Sequence, residues 1–439
     1  MNKRTLFNWQ YTGIALLLLL FLCRIIAGFY DDPVFFGKAD FAVFYTTAEF
    51  ALDNQDIYGN EALQDAITTT RDAEGSVRYL YPPAVLILFL PLTIFSFKTA
   101  VWLWLGLNCI MLFATIWLLE KIIQVKPKHN TFYWLIALSC ITIYTPIFVS
   151  LRTGQVNIFL MFLLVVHLFL FNLKKFKWAS LVVAGMIIIK LFPVILLAYY
   201  LIKKQYSFVE YTLAWMLTLF IITLPITSLD NHTSYIQRAY NQATQGIHQT
   251  GLHRYDNPTI NGELYRATLM NKIRSADRKN YKPLLVSLNK IKENLLKTDI
   301  TLRMSLTDWI APTHLVLIVL FGLGLLIVSI LIRTTPPNIV EISLWFSFVF
   351  LAAKDAHIEY FVLLLPVFIF IFMQKKVAKT NKYKIIIPLT CLILFAVSWI
   401  NPLPYTELPA QLIWIPTALL ANLMLFFYLL RLVRSYVKK

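Results

Sequence analysis

Apolar runs of 15 residues or more recur along the sequence from residue 12 to residue 430. Each run is about long enough to cross the roughly 30 Å hydrocarbon core of a bilayer as a helix. One aqueous core could not bury so many runs, and only 14% of the residues are charged, against about 25% in soluble domains. The sequence therefore excludes a soluble enzyme and predicts an all-α polytopic membrane protein with about 12 membrane segments. These segments are 12–29, 81–97, 99–119, 131–150, 156–172, 178–202, 209–228, 313–332, 339–353, 358–373, 385–400 and 411–431.

The net charge of +17 comes from short basic clusters between the apolar runs, which fits membrane topology better than binding to nucleic acid. If every segment crossed once from a cytoplasmic N-terminus, the clusters at 121–128 and 174–177 would lie outside, against the positive-inside rule. Both clusters become cytoplasmic if segment 81–97 dips into the membrane and segment 178–202 is a re-entrant hairpin.

The sequence supports both changes. Tyr81 is followed by two prolines and the same segment carries Pro91, so it is short and interrupted. The second segment is interrupted by Lys190 and Pro193 and is flanked by basic residues on both sides. The hairpin is expected to turn at Lys190, in a water-filled notch in the outer half of the membrane.

This topology makes half of the 40 basic residues cytoplasmic, together with both termini. It leaves two long hydrophilic segments, 30–80 and 229–312, outside. We expect an N-terminal catalytic transmembrane module at 1–228 that includes the first outer loop, a large extracytoplasmic loop at 229–312, and C-terminal transmembrane helices at 313–439. Within the large loop, the spacing of Leu284, Leu288, Ile291 and Leu295 predicts an amphipathic surface helix.

Asp40 follows the first helix directly and precedes aromatic residues. A carboxylate held there could act as a general base, because a fixed and partly desolvated position suits proton abstraction. The alternative is a helix cap for residues 41–52.

Cations and amides recur at the same predicted outer edge. Arg152 pairs well with phosphate, and Gln155 and Asn157 can bind hydroxyl groups or phosphate, although a polar turn capping the next helix is the alternative. Lys190 within a long apolar segment indicates function, because an unpaired cation there costs about 2.5 kcal/mol or more. Lys354 and His357 belong to a dense polar loop, 354–360, whose charges could also be simply solvated.

The motifs of other enzyme classes are missing from the sequence. There is no HExxH or comparable metal-ligand spacing, no Walker loop and no GxSxG turn, so we expect no metal and no cofactor. His167, inside an apolar run, is interpreted as a core residue. Outward-facing cations with one carboxylate suit a lipid-linked phosphate donor, whose phosphate lies at headgroup depth.

Several short motifs together resemble glycosyltransferase family 87, the polyprenol-phosphate-mannose-dependent alpha-mannosyltransferases of the GT-C superfamily. They run in order through the chain: Ala39-Asp40-Phe41 with Tyr45, Asp56-Ile57-Tyr58-Gly59, Tyr81-Pro82-Pro83 before Leu90-Pro91-Leu92, Gly154-Gln155-Val156-Asn157, Lys190-Leu191-Phe192-Pro193, and His357 before Leu365-Pro366.

The resemblance implies a GT-C-type fold and metal-independent, inverting sugar transfer. Carried to this chain, it implies Asp40 as the catalytic base, donor-phosphate binding by Arg152 and Lys190, and a supporting role for His357. We further expect Gln155, Asn157, Tyr81 and Lys354 to bind substrate.

The expected function is transfer of a hexose from a polyprenyl-phosphate donor to a glycolipid or glycan acceptor at the outer face of the cell membrane. Mannose is the expected hexose. The expected partners are the lipid-linked donor, the acceptor and membrane lipids, without nucleic acid or an obligatory protein partner. The alternative is a transporter or flippase of a lipid-linked sugar. Because transporters of this kind have matching interrupted helices in both halves, interruptions confined to the first half favour an enzyme.

Overall fold

The structure is a computed structural model that describes residues 3–31, 40–53, 55–71, 79–245, 259–260, 262, 264, 310–333, 336–353, 356–373, 383–398 and 417–437. All regular elements in these residues are helical. Five of the helices are long and apolar enough to span a membrane, and a sixth span results if one bent pair counts as one. The chain is therefore a multi-pass membrane protein, while the predicted number of twelve segments stays a prediction.

Sixteen α-helices are numbered here in chain order within the described residues. The first eight are α1 (Lys3–Asp31), α2 (Asp40–Leu52), α3 (Glu61–Arg71), α4 (Phe97–Ile123), α5 (Asn130–Ile143), α6 (Thr145–Thr153), α7 (Asn157–Asn172) and α8 (Phe176–Ile189). The others are α9 (Ile195–Ile202), α10 (Tyr206–Thr227), α11 (Leu229–Gln245), α12 (Ile310–Leu331), α13 (Ile339–Ala352), α14 (Leu365–Met373), α15 (Tyr383–Val397) and α16 (Thr417–Val437).

The segment around Lys190 reverses direction, as predicted. Helix α8 ends at Ile189, and α9 follows after a short 3-10 helix at Phe192–Val194. The start of α8 and the end of α9 meet, because the rings of Phe176 and Tyr200 both pack against Phe171, at centroid distances of 4.9 and 5.5 Å. Lys190 therefore lies at the far tip of the turn, and its depth in a bilayer stays a prediction.

The predicted dipping segment is also short and irregular. Two 3-10 helices, Pro83–Leu88 and Leu90–Leu92, replace a spanning α-helix, because prolines cannot donate the backbone hydrogen bonds that an α-helix needs. They pack beside α2 and lead into α4 through a turn capped by the Ser96 side chain.

The predicted membrane segment 131–150 is not one continuous helix but a bent pair of helices. Helices α5 and α6 meet at Tyr144 with a bend of 62°. Arg24 of α1 stabilises the bend by donating hydrogen bonds to the Thr142 carbonyl at 2.5 Å and the Thr145 hydroxyl at 3.1 Å. A break in a spanning helix leaves carbonyl groups unpaired, and this guanidinium satisfies one of them.

The two ends of the helix bundle differ in charge. One end, called here the basic end, is formed by the last turns of α4, α7, α9 and α12 and the connections after them, which carry Lys121, Lys174, Lys203, Lys204 and Arg333. The opposite end holds the start of α7 and the turn at Lys190, and is called here the site end. This separation is the one that the positive-inside argument requires.

The two predicted outer segments contact each other at the site end. The backbone N–H of Ile57 donates a hydrogen bond of 3.1 Å to the Asn231 side chain, at the start of α11. The Asn231 amide donates in turn to the Gln55 carbonyl at 3.2 Å. The predictions for the helix at 284–295 and for Lys354 lie outside the described residues.

The structure contradicts the expectation that interruptions are confined to the first half of the chain. A 3-10 helix, Ile358–Leu364, precedes α14 in the second half, and Pro388 lies inside α15. His167 is buried as expected, and it has a partner that the sequence does not reveal, because its ring bonds the Tyr200 hydroxyl at 2.5 Å.

Candidate active site

Asp40 begins helix α2, so the predicted helix at 41–52 is confirmed with one more residue at its start. The carboxylate is half-buried. Position 154 fixes the neighbouring turn: Gly154 has a φ of 73°, and a Cβ there would lie 2.5 Å from the Cβ of Phe41. Only glycine allows both this backbone conformation and this approach, so it brings the 152–157 turn against the start of α2.

Lys190 lies where the backbone leaves the helix. Its φ and ψ of −151° and 129° are extended, which directs the residue away from α8. The side chain is 7% exposed, and its ammonium donates a hydrogen bond of 3.0 Å to the side-chain oxygen of Asn157. Asn157 is fully buried at the first turn of α7, and its amide nitrogen has no hydrogen-bond partner among the described residues. That N–H group is therefore available to an oxygen of a bound ligand.

Aromatic rings surround the same ammonium. The Lys190 nitrogen lies 3.9 Å from the ring centroid of Tyr360, 5.4 Å from that of Tyr81 and 5.9 Å from that of Phe192. Cation–π contacts stabilise a desolvated cation by about 2 kcal/mol. Within the described part of the chain no carboxylate is in direct contact with this nitrogen, so the ammonium keeps donors for an incoming anion.

Tyr81 connects the surroundings of Lys190 to the 152–157 turn and to the first outer segment. Its hydroxyl group accepts a hydrogen bond of 2.7 Å from the Gln155 amide. Its backbone carbonyl accepts a bond of 2.6 Å from the Tyr58 hydroxyl, in the first outer segment. Burial raises the pKa of Tyr58 well above its usual value, so this phenol stays neutral and remains a donor.

Two carboxylates act on Lys190 through their charges. Glu359 and Asp40 both interact electrostatically with the ammonium, and Glu359 also interacts with His357 and Asp40. Glu359 is only 6% exposed. The His357 ring lies 5.6 Å from that of Tyr360. A cation, two carboxylates and an imidazole therefore lie close together at the site end, and this group of side chains is called here the hollow.

The structure brings most of the predicted site residues together. Asp40, Tyr81, Asn157, Lys190 and His357 meet in this hollow, and Gln155 joins them through Tyr81. Arg152 is half-buried in the last turn of α6, two residues before Gly154.

Glu359 and Tyr360 are the functional candidates that sequence reasoning missed. Both belong to the polar loop 354–360, which the sequence does single out. The sequence feature that could have indicated them is an acidic and an aromatic residue close to His357, at the end of an apolar span.

The arrangement suits the binding of an anion beside a hydroxyl group. The Lys190 ammonium bonds the Asn157 side-chain oxygen at 3.0 Å, so the ammonium and the unbonded Asn157 amide nitrogen are neighbouring donors, as a phosphate group requires. Asp40 is half-buried and lies close enough to Lys190 for their charges to interact. Among the described residues, no group of three or more His, Cys, Asp and Glu side chains is placed to hold a metal ion.

Comparison with known proteins identifies one family. The model of glycosyltransferase family 87 matches residues 79–353, which contain Tyr81, Asn157 and Lys190. Neither the search of curated proteins nor the search of solved structures found a match.

Proposed function

The chain belongs to glycosyltransferase family 87, and on that premise we propose that it moves a hexose from a polyprenyl-phosphate donor to a glycolipid or glycan acceptor. Mannose is the proposed sugar, and the proposed place is the extracytoplasmic face of the cell membrane, with both termini in the cytoplasm.

The observation that carries the donor assignment is the buried ammonium of Lys190. An intramembrane or membrane-edge cation is expensive and marks a ligand or ion site by default. Here its direct partners are a neutral amide and aromatic rings, which leave N–H donors of the ammonium for an anion. A phosphate at headgroup depth fits that position, and its polyprenyl chain would lie among the apolar helices.

The proposed reaction is a single displacement at the anomeric carbon. An acceptor hydroxyl attacks that carbon and forms a new C–O bond, while the bond from the carbon to the phosphate oxygen breaks and polyprenyl phosphate leaves. Asp40 accepts the hydroxyl proton. Lys190 and Asn157 stabilise the negative charge that develops on the phosphate, with Arg152 as a second proposed contact. A single displacement inverts the configuration of the sugar carbon.

The remaining side chains have supporting roles in this proposal. Tyr81, held by Gln155, and His357 would contact the sugar or the acceptor. Glu359 would balance the charge of Lys190 until the phosphate arrives. Lys354, outside the described residues, stays a proposed substrate contact on the strength of the sequence.

The outer location is supported by the charge separation between the two ends of the bundle. The basic end would be cytoplasmic by the positive-inside rule, which would place the hollow on the opposite face. Polyprenyl-phosphate sugars suit that face, because soluble nucleotide-sugar donors are made in the cytoplasm.

The second candidate, a flippase of a lipid-linked sugar, is favoured by one observation. Interrupted elements occur in both halves, at Lys190 and at Ile358–Leu364. Sugar transfer by the purified protein in detergent separates the two functions, because no second compartment exists there and a flippase would release no product.

The direct test is Asp40→Asn in that detergent assay with a defined polyprenyl-phosphate mannose. We expect transfer to fall by at least about a hundredfold, the usual contribution of a general base. The matched control is Asp65→Asn, an exposed carboxylate of α3 in the same outer segment, which should leave transfer unchanged. Near-normal turnover by the Asp40 variant contradicts the assignment of the base.

A further inference from the structure

Helix α11 has one face that is anchored to the protein at the site end. Asn231 holds the backbone of Gln55 and Ile57, as described above. Further along the same helix, Arg238 donates a hydrogen bond to the Tyr58 carbonyl, and its guanidinium lies 5.2 Å from the Tyr58 ring centroid. The orientation of the helix about its own axis is therefore fixed.

The other face of α11 is an apolar stripe. Leu229, Ile236 and Tyr240 are 59%, 65% and 66% exposed. Their spacings of seven and four residues place them on one side of a helix with 3.6 residues per turn. Single exposed hydrophobic residues need no explanation, but an aligned stripe indicates a surface that something covers.

The position of α11 relative to α10 indicates what covers the stripe. Helix α10 is long and apolar enough to span a membrane and ends at Thr227, so one residue separates the two helices. His232 bonds the Thr227 hydroxyl at 2.8 Å, and its ring packs 4.7 Å from the ring of Phe220. Phe220 lies seven residues before the end of α10, or about 10 Å at 1.5 Å per residue.

The first turn of α11 is therefore folded back beside the last two turns of a spanning helix. On α10 itself, Leu217, Ile221 and Ile222 are exposed, as expected of lipid-facing residues in this region. The start of α11 thus lies at the depth where a spanning helix leaves the hydrocarbon core.

We propose that α11 is an interfacial helix whose stripe of Leu229, Ile236 and Tyr240 inserts into the headgroup region of the bilayer on the face that carries the candidate active site. Aliphatic side chains with an aromatic residue are the composition that binds at this depth. The apolar stripe of α11 then contacts the bilayer, while Arg238 on the other face of α11 bonds the Tyr58 carbonyl. The Tyr58 hydroxyl in turn donates to the carbonyl of Tyr81. This inference does not depend on the sugar, the donor or the reaction.

The test uses the full chain, purified and reconstituted alone in nanodiscs of phosphatidylcholine and phosphatidylglycerol. The photoreactive residue p-benzoylphenylalanine replaces Ile236 or Tyr240, and intact-protein mass spectrometry after irradiation counts phospholipid adducts. The matched control places it at Gln237, which is exposed and about 100° further round the helix from Ile236.

We expect at least about fivefold more phospholipid adduct at 236 and 240 than at 237, because the apolar face of an interfacial helix lies at the boundary of headgroups and acyl chains. Equal adduct yields at the three positions overturn the proposal. An adduct with the mass of a second chain at 236 or 240 also overturns it, because the stripe would then bind another copy of the protein.

Discussion

At the scale of single residues, Lys190 is the side chain whose surroundings decide the chemistry. Its ammonium is nearly excluded from solvent and bonds Asn157, while Tyr360 covers it at 3.9 Å. The carboxylates of Glu359 and Asp40 act on it through their charges. An ammonium held in this way still has hydrogen atoms to donate to a ligand.

Replacing Lys190 by Met keeps most of the side-chain volume and removes the charge. We expect the KM for the polyprenyl-phosphate donor to rise by at least about tenfold, since a charge-assisted hydrogen bond contributes roughly 1.5–3 kcal/mol. Steady-state transfer measured against donor concentration tests this. The matched control is Lys98→Met, an exposed lysine at the start of α4, which should leave the KM unchanged.

The KM of the Lys190→Met variant is informative even if its turnover is low, provided that the variant is folded. A cooperative thermal unfolding transition shows that the Lys190 variant is folded, even if its midpoint falls because buried Glu359 loses the charge that balances it. An unchanged KM in a folded variant would remove Lys190 from the donor site.

The sequence predicts part of this hollow for a clear physical reason. An isolated lysine in a long apolar run stands out, and so do the amides of Gln155 and Asn157 next to a glycine. The roles of Glu359 and Tyr360 do not stand out. They belong to a run of polar residues, and the sequence does not show which of these side chains face the site. The 3-10 helix that begins at Ile358 decides which of them face Lys190.

At the scale of elements, the hairpin that carries Lys190 is fixed at its other end by a buried ion pair. Lys203, directly after α9, contacts Glu341 of α13 at 2.5 Å and donates to the Ile332 carbonyl at 2.8 Å. Tyr199 and Asn338 donate to the same carboxylate at 2.8 and 2.7 Å. The pair joins the hairpin to the helix that leads towards Glu359.

Removing one partner of this pair should destabilise the protein strongly. We expect Glu341→Gln to lower the free energy of unfolding by about 3 kcal/mol, because it leaves the Lys203 charge buried without its counter-ion. Equilibrium unfolding in mixed detergent micelles measures the change. Glu210→Gln, an exposed carboxylate near the same end, is the control and should change stability little.

A double variant separates charge from packing. Lys203→Met combined with Glu341→Leu removes both charges and should recover much of the lost stability. If Glu341→Gln is as stable as the unmodified protein, or if the double variant is no better than the single one, the ion pair does not hold the hairpin.

Element boundaries show where sequence reasoning works and where it fails. The irregular segment at 83–92 is visible in the sequence because three prolines within ten residues exclude a regular α-helix. The break at Tyr144 is not visible, because Pro146 alone is compatible with the first turn of a new helix or with a kink. What stabilises the break is Arg24, more than a hundred residues away, and such a contact leaves no local pattern.

At the scale of the whole molecule, charge separates the two ends of the helix bundle. Basic residues collect at the connections of one end, while the carboxylate of Asp40, the turn at Lys190 and helix α11 share the other. This separation could be predicted from the sequence, because it depends on the order of apolar and basic segments. The sequence also predicts that Asp40 and Lys190 lie at one outer edge, but it does not predict that Glu359 joins them, because that depends on packing between distant helices.

The central claim is that Asp40 and Lys190 act on one bound donor in one hollow. The most direct measurement is a density map of the full protein with a polyprenyl-phosphate hexose bound. We predict that the phosphate lies within hydrogen-bond distance of the Lys190 ammonium and that the anomeric carbon of the sugar faces the side of Asp40. A phosphate bound at the basic end, or one bound at the site end out of reach of Lys190, would contradict the claim.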